Sequence, residues 1–326
     1  GNSDLVVTTS PFIALHFGDG AGGFPQTGGV FNGFTAGTAP TVGDLNADGN
    51  LDVAVSFVTL FGAVSVVLGD GAGGLSRFGN FDAGGSGSIP SIAIGDFDRD
   101  GNVDLVVANK GSAQITIMWG DGTGRYFNRA SFGVGSSPSS VAVRDFNADG
   151  NPDIVNSNQG SNNVSILLGT GARNLTEPMY LDVGSSPSSV AIDDFNNDGN
   201  ADIAVTNQSS NNVSILIGDG TGGFSNPINF DVGSGPISVA PGDFNRDGSI
   251  DLAVANAGSS NISILLNVYA SGVPHTEIIG TWSNGIWYLD ESESKWIKMA
   301  ASTPTGDIAA GDFTGDGKAD VASCWS

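Results

Sequence analysis

Short apolar runs recur along this chain at even intervals, each closed by glycine, asparagine or aspartate. In residues 187–231 the runs are Pro187-Ser188-Ser189-Val190-Ala191-Ile192, Asp202-Ile203-Ala204-Val205-Thr206, Asn212-Val213-Ser214-Ile215-Leu216-Ile217, and Phe224 through Phe230. Runs of this length, rich in β-branched residues and bounded by turn signals, predict strands; no 3.6-residue period predicts a helix. Gly218-Asp219-Gly220-Thr221-Gly222-Gly223 supplies the turn before the fourth run, because several of its residues enter positive φ readily. Four antiparallel strands in such a unit make one propeller blade.

Between the first and second runs lies a nine-residue acidic loop, and six copies of it are present. Oxygen side chains stand at positions 1, 3, 5 and 9, and glycine stands at position 6. The copies carry Asp44, Asn46, Asp48 and Asp52; Asp96, Asp98, Asp100 and Asp104; Asp145, Asn147, Asp149 and Asp153; Asp194, Asn196, Asp198 and Asp202; Asp243, Asn245, Asp247 and Asp251; and Asp312, Thr314, Asp316 and Asp320. A hard cation such as Ca2+ takes six to eight oxygens at about 2.3–2.6 Å, and alternate residues of a tight loop can turn inward together. Position 7 varies (Asn50, Asn102, Asn151, Asn200, Ser249, Lys318), as expected if its backbone carbonyl is the ligand. Lys318 is tolerable only on that reading. The first aspartates are 52, 49, 49, 49 and 69 residues apart, a repeat architecture.

Charge sharpens the metal reading. The chain has 11 Lys+Arg against 34 Asp+Glu and a formal net charge of -23. Such a polyacid repels nucleic acid and anionic membranes. Nineteen of the acidic residues lie in the six loops, so six bound Ca2+ would roughly halve the charge. The lone Cys324 permits no intrachain disulfide, and metal loops can take over that stapling role. No apolar run is long enough to span a membrane. A chain starting in mid-motif, with no signal peptide, reads as a mature or trimmed fragment.

The order of strand, Asp-Phe-Asn-x-Asp-Gly-Asn-x-Asp, strand, Val-Ser-Ile-Leu-Leu-Gly and Asp-Gly-x-Gly-Gly-Phe resembles the FG-GAP/VCBS repeat family, whose members include integrin α-subunit propellers and many secreted bacterial proteins. The resemblance covers nearly the whole chain. It implies a seven-bladed β-propeller with Ca2+ held between the first and second strands of a blade. It does not imply one function.

On that basis the expected fold is all-β: a single seven-bladed β-propeller of four-stranded antiparallel blades over residues 1–326. The pattern supplies 27 strands, one short of seven full blades. Gly1-Asn2-Ser3-Asp4 reads as the last four positions of a further loop. The register breaks between Asn267 and Glu277, where a 49-residue repeat lacks room for its outer strand. Either Asp307–Phe313 closes the ring onto the first three strands, or residues 276–326 start a divergent module after a break at 268–275. Unpaired terminal strands could also dock onto neighbouring chains.

Other features carry plainer readings. Phe97, Phe146, Phe195, Phe244 and Phe313 at loop position 2 are expected to plug the space between blades. Trp282, Trp287, Trp296 and Trp325 crowd the last 45 residues, as a glycan platform or as the core of a variant blade. His16 and His275 lie far apart, and no nucleophile or zinc motif accompanies either. Cys324 is a packed thiol or an intermolecular link. The Asn-Val-Ser and Asn-Ile-Ser sequons open predicted strands and are structural. Together these features predict a non-catalytic, secreted or surface-displayed Ca2+-binding propeller acting in adhesion, recognition of a protein or glycan, or assembly. The alternatives are a fibre or sheath subunit, and an accessory domain of a polysaccharide-active enzyme.

Overall fold

The computed structural model describes the chain from residue 4 to 279 apart from 10–11, 22, 33–36, 58–61, 85–90 and 271–272, together with four strands beyond 279; side chains are described as far as residue 267. Every described element is a strand. β1 (Leu5–Thr9), β2 (Phe12–Phe17) and β3 (Gln26–Asn32) form a three-stranded antiparallel sheet. Four-stranded sheets follow: β4 (Gly37–Gly43), β5 (Asp52–Phe57), β6 (Ala63–Gly69) and β7 (Leu75–Asp82); then β8 (Ile92–Gly95), β9 (Asp104–Asn109), β10 (Gln114–Trp119) and β11 (Asn128–Gly133). The next is β12 (Pro138–Arg144), β13 (Asp153–Asn158), β14 (Asn163–Leu167) and β15 (Met179–Asp182). After it come β16 (Pro187–Asp193), β17 (Asp202–Asn207), β18 (Asn212–Leu216) and β19 (Ile228–Asp231), then β20 (Pro236–Gly242), β21 (Asp251–Asn256), β22 (Asn261–Ala270) and β23 (Val273–Ile279). β24 (Ile286–Asp290) pairs with β25 (Lys295–Ala300), and β26 (Ile308–Gly311) with β27 (Asp320–Ser323). The chain divides into two compact units, one holding β1–β15 and the other β16–β27.

The expectation of seven four-stranded blades is overturned by the pairing. Among the described residues six blade sheets are present, five of four strands and one of three. Among the described strands β24–β25 and β26–β27 are separate pairs and form no seventh four-stranded sheet. The reason lies at the register break. β22 runs on to Ala270, and a tight hairpin returns β23 along it, with Ala270 opposite Val273 and Ile264 opposite Ile279. The segment counted towards a seventh blade thus forms the outer strand of the sixth.

In four blades the second strand (β9, β13, β17 and β21) is buried along its whole length, and successive residues serve opposite faces. Leu105 and Val107 pack with Leu45, Ala54, Val64 and Met118, while Val106 and Ala108 pack with Ile115, Ile117 and Ile154. In the second unit Ala204, Val213 and Phe195 pack with Val239, Leu252 and Val254. Strands buried on both faces read as continuous apolar runs rather than as alternation. Of the position-2 residues, Leu45, Phe97, Phe146 and Phe195 are buried. The outer strands are largely exposed and are tied in by polar rungs such as Ser65–Asn80 at 2.7 Å and Ser214–Asn229 at 2.6 Å.

One buried position breaks the pattern. Asn156 stands where the sister strands carry Val107, Val205 and Val254. Its Nδ2 donates to Asn158 Oδ1 at 2.6 Å, but its Oδ1 is buried without a partner. In the β17 blade, which has valine at this place, the equivalent Asn207 Oδ1 is itself unpartnered. Asn156→Val therefore exchanges one orphan acceptor for another and adds apolar burial, and should stabilise the protein by about 1 kcal/mol. Chemical denaturation checks this; a fall in midpoint would show that the Asn156 amide is needed.

Candidate metal centre

Each described loop is wound by backbone N–H groups donating to its own carboxylates. Position 1 accepts twice: Asp44 Oδ1 from Asp48 N at 3.1 Å and Oδ2 from Gly49 N at 2.9 Å, with the same pair at Asp96, Asp145, Asp194 and Asp243. Position 5 accepts from position 7, as Asp198 Oδ1 from Asn200 N at 2.8 Å. To make these bonds the chain turns left-handed twice. Ala47, Arg99, Ala148, Asn197 and Arg246 at position 4 have φ of 56–64°, and the position-6 glycines have φ of 80–87°. A Cβ at Gly49, Gly101, Gly199 or Gly248 would meet nothing within 4 Å, so glycine is required there for its backbone and not for space.

Position 9 anchors the loop to the blade. Asp202 Oδ2 accepts from Phe195 N at 2.9 Å and Oδ1 from Gly218 N at 2.8 Å, so one carboxylate ties the loop start to the end of β18. Asp52, Asp104, Asp153 and Asp251 repeat this on Leu45 and Gly69, Phe97 and Gly120, Phe146 and Gly169, and Phe244 and Asn267. Asp4 accepts from Gly18 N at 3.0 Å, the role of a position-9 residue.

All five position-9 carboxylates from Asp52 to Asp251 are fully buried. Desolvation, opposed by the two N–H donors and helped by neighbouring aspartates, pushes Asp104 up to about 7 and Asp153, Asp202 and Asp251 up to about 6. Asp52 moves the same way. Asp48, Asp149 and Asp198 at position 5 move down, chiefly because the position-7 N–H stabilises the charged form. Each loop thus surrounds a buried anion with further anions, an arrangement that fits a divalent cation.

The remaining ligand candidates fall into two groups. At position 3, Asn46, Asn147, Asn196 and Asn245 accept from the position-5 N–H through Oδ1 and donate Nδ2 to the position-5 carboxylate. Asp98 replaces them in the second loop, and there Asp96, Asp98 and Asp104 each offer an oxygen within 4.8 Å of the others. At position 7 the side chains of Asn50, Asn102 and Asn151 lie against Gly71, Gly122 and Gly171 of the following turn. The Asn50 and Asn151 side chains also help to hold the position-5 carboxylates of Asp48 and Asp149 in their charged form. In the sixth loop Asp312, Thr314, Asp316 and Lys318 lie outside the described residues, and Asp320 begins β27.

Three successive stretches, residues 96–156, 145–205 and 194–254, match the family described as FG-GAP-like repeat. These are FG-GAP-like repeats. Solved structures similar to the propeller they build include the Pseudomonas aeruginosa periplasmic gluconolactonase (TM-score 0.65, 16% identity, 83% of this chain and 77% of that one). A functionally unknown protein from Desulfotomaculum acetoxidans aligns over 99% of both chains at 11% identity and a TM-score of 0.64. An Agrocybe aegerita lectin, solved for its recognition of non-reducing terminal N-acetylglucosamine, aligns at 15% identity and 0.56, over 85% of this chain and 77% of that one. At these identities the likeness is one of fold. No curated protein matches the chain in sequence.

Two residues of the FG-GAP-like loops were not among the sequence candidates. Arg99 Nη2 donates to Asp149 O at 3.1 Å and so links adjacent loops. Arg173 reaches Asp98 across 75 positions of sequence. The available signal was a coincidence of two departures from the repeat: the extra acid at Asp98 and the missing glycine at Arg173.

Proposed function

We propose that this protein is a calcium-stabilised, non-catalytic β-propeller that works outside the cell by binding a protein or glycan ligand. The supporting observation is the fully buried position-9 carboxylate, met by two backbone dipoles and ringed by further acids, in phase with five successive repeats. Two dipoles do not cancel a full buried charge, and a Ca2+ bound by the loop would. Asp44, Asp96, Asp145, Asp194 and Asp243 with their position-3, -5 and -9 partners hold the ion. Bound there, the ion would neutralise the clustered carboxylates, while the position-9 carboxylate ties the loop start to the end of the blade's third strand.

Catalysis finds less support. His16 Nδ1 meets Thr27 Oγ1 at 3.4 Å on the surface, and the position-1 and position-9 carboxylates of the described loops are engaged in loop geometry. The lactonase neighbours share the fold alone. No helix among the described residues is long and apolar enough to cross a membrane.

Thermal melts with size-exclusion chromatography, in EDTA and across a Ca2+ series, test the proposal. Each loop contributes about 0.4–1.4 kcal/mol when Ca2+ stands at one to ten times its Kd. The melting temperature should rise by many degrees and saturate. A melt indifferent to calcium removes the metal reading, and calcium-driven oligomers would favour assembly over ligand binding.

A further inference from the structure

The loop at 96–104 differs from its sisters at position 3, where it has Asp98 and they have Asn46, Asn147, Asn196 and Asn245. The turn between β14 and β15 also departs from its sisters. It reads Thr170-Gly171-Ala172-Arg173-Asn174, and Arg173 occupies the place of Gly73, Gly124 and Gly222. Those glycines have φ of 89°, 82° and 87°, and Arg173 keeps a left-handed φ of 57°. An arginine enters that region at a cost of about 1–2 kcal/mol.

The two departures meet. Arg173 Nε and Nη2 each lie 2.5 Å from Asp98 Oδ2, and Nη2 lies 3.9 Å from Asp100 Oδ2. The guanidinium carbon also sits 5.2 Å from the ring centroid of Trp119, within cation–π distance. The Asp98 side chain is only 5% exposed, whereas that of Arg173 is 51% exposed. A strained backbone carrying a cation onto a nearly buried extra acid is a paired exchange: the added negative charge and the added positive charge occur in the same site and in none of the other described loops.

We infer that Arg173 is a tethered counter-cation for the 96–104 loop. It neutralises Asp98, holds this loop in shape when no metal is bound, and competes with a divalent cation for the Asp98 carboxylate. The loop is therefore the weakest calcium site of the described five and the least dependent on calcium for its order. This inference rests on the metal reading of the loops.

Its test uses the full chain and Arg173→Gly, which restores the glycine of the sister turns. Trp119 reports on the site, with Trp119→Phe as the blank, during a Ca2+ titration; native mass spectrometry counts bound ions in parallel. The Trp119 midpoint should fall about fivefold to tenfold in Arg173→Gly, the scale of one partly exposed ion pair. Asp98→Asn/Arg173→Gly recreates the sister loops in both respects and guards against a folding defect of the single variant. In EDTA, amide hydrogen exchange over 96–104 should be slower than in the sister loops of the wild type and should accelerate in Arg173→Gly. A midpoint that stays or rises, or exchange that does not change, overturns the inference while calcium uptake still supports the metal reading. If mass spectrometry finds no bound calcium in either chain, the metal reading itself fails and the competition falls with it.

Discussion

Asp202→Ala should destabilise the protein by about 3 kcal/mol even without calcium, because it leaves two buried N–H donors without acceptors, and calcium should add the loss of that loop's increment. The donors are Phe195 N and Gly218 N, and both are met by the fully buried Asp202 carboxylate. Truncation also unties the loop from β18. Asp198→Ala is the contrast. Asp198 stands on the exposed rim, where it accepts from Asn200 N and Asn196 Nδ2. Its loss should cost under about 1 kcal/mol in EDTA, yet it should abolish the calcium increment of that loop. Urea unfolding of both variants with and without calcium separates the anchor from the ligand. Equal losses for the two variants in EDTA would show that position 9 is not the anchor described above.

In metal-free buffer, stability should fall as pH rises from about 4.5 to 7.5, opposite to the usual behaviour of paired carboxylates. The sign follows from Asp104, held at about 7, and Asp153, Asp202 and Asp251, held at about 6, against an ordinary value of 3.8. Between those values the folded chain binds more protons than the unfolded one, so each upward step in pH favours unfolding. The contribution is complete below the ordinary carboxylate range and is lost as pH passes through 6–7. The position-5 aspartates, shifted downwards, act in a lower window and do not oppose it there. Bound calcium would hold the same carboxylates ionised, so the calcium-loaded protein should show little of this decline. The calcium increment in melting temperature should therefore grow with pH. Melts at three pH values, with and without calcium, check both halves. Metal-free stability that is flat or rising over this range would show that the buried carboxylates are not the controlling groups.

Much of the fold was legible because its determinants are local. A β-branched run forms a strand wherever it stands, and a nine-residue loop with aspartates at alternate positions and glycine at position 6 closes on its own N–H groups. Such bonds span at most a few residues, so the repeat announced them. The packing of Leu45, Phe97, Phe146 and Phe195 was likewise readable from one apolar position recurring in phase. The blade count was not. Seven came from the family resemblance, and a strand total only one short of it agreed, but strands belong to blades through pairing, and the pairing of Ala270 with Val273 gave β23 to the sixth blade. Spacing alone also left open where the position-7 side chain goes. In the structure the side chains of Asn50, Asn102 and Asn151 lie so close to Gly71, Gly122 and Gly171 that a Cβ at those glycines would collide with them.

By itself, then, the amino-acid sequence determined the strand order within a blade, the acidic loop in each repeat and the residues that wind it, since all of these depend on neighbours a few positions away. The tertiary structure alone decided three things: the six-blade count, the depth of burial that raises the affinity of Asp104 for its proton, and the meeting of Arg173 with Asp98. Each depends on which distant segment comes to lie alongside. That is set by long-range strand pairing and by the packing of one blade on the next, and no local pattern encodes it.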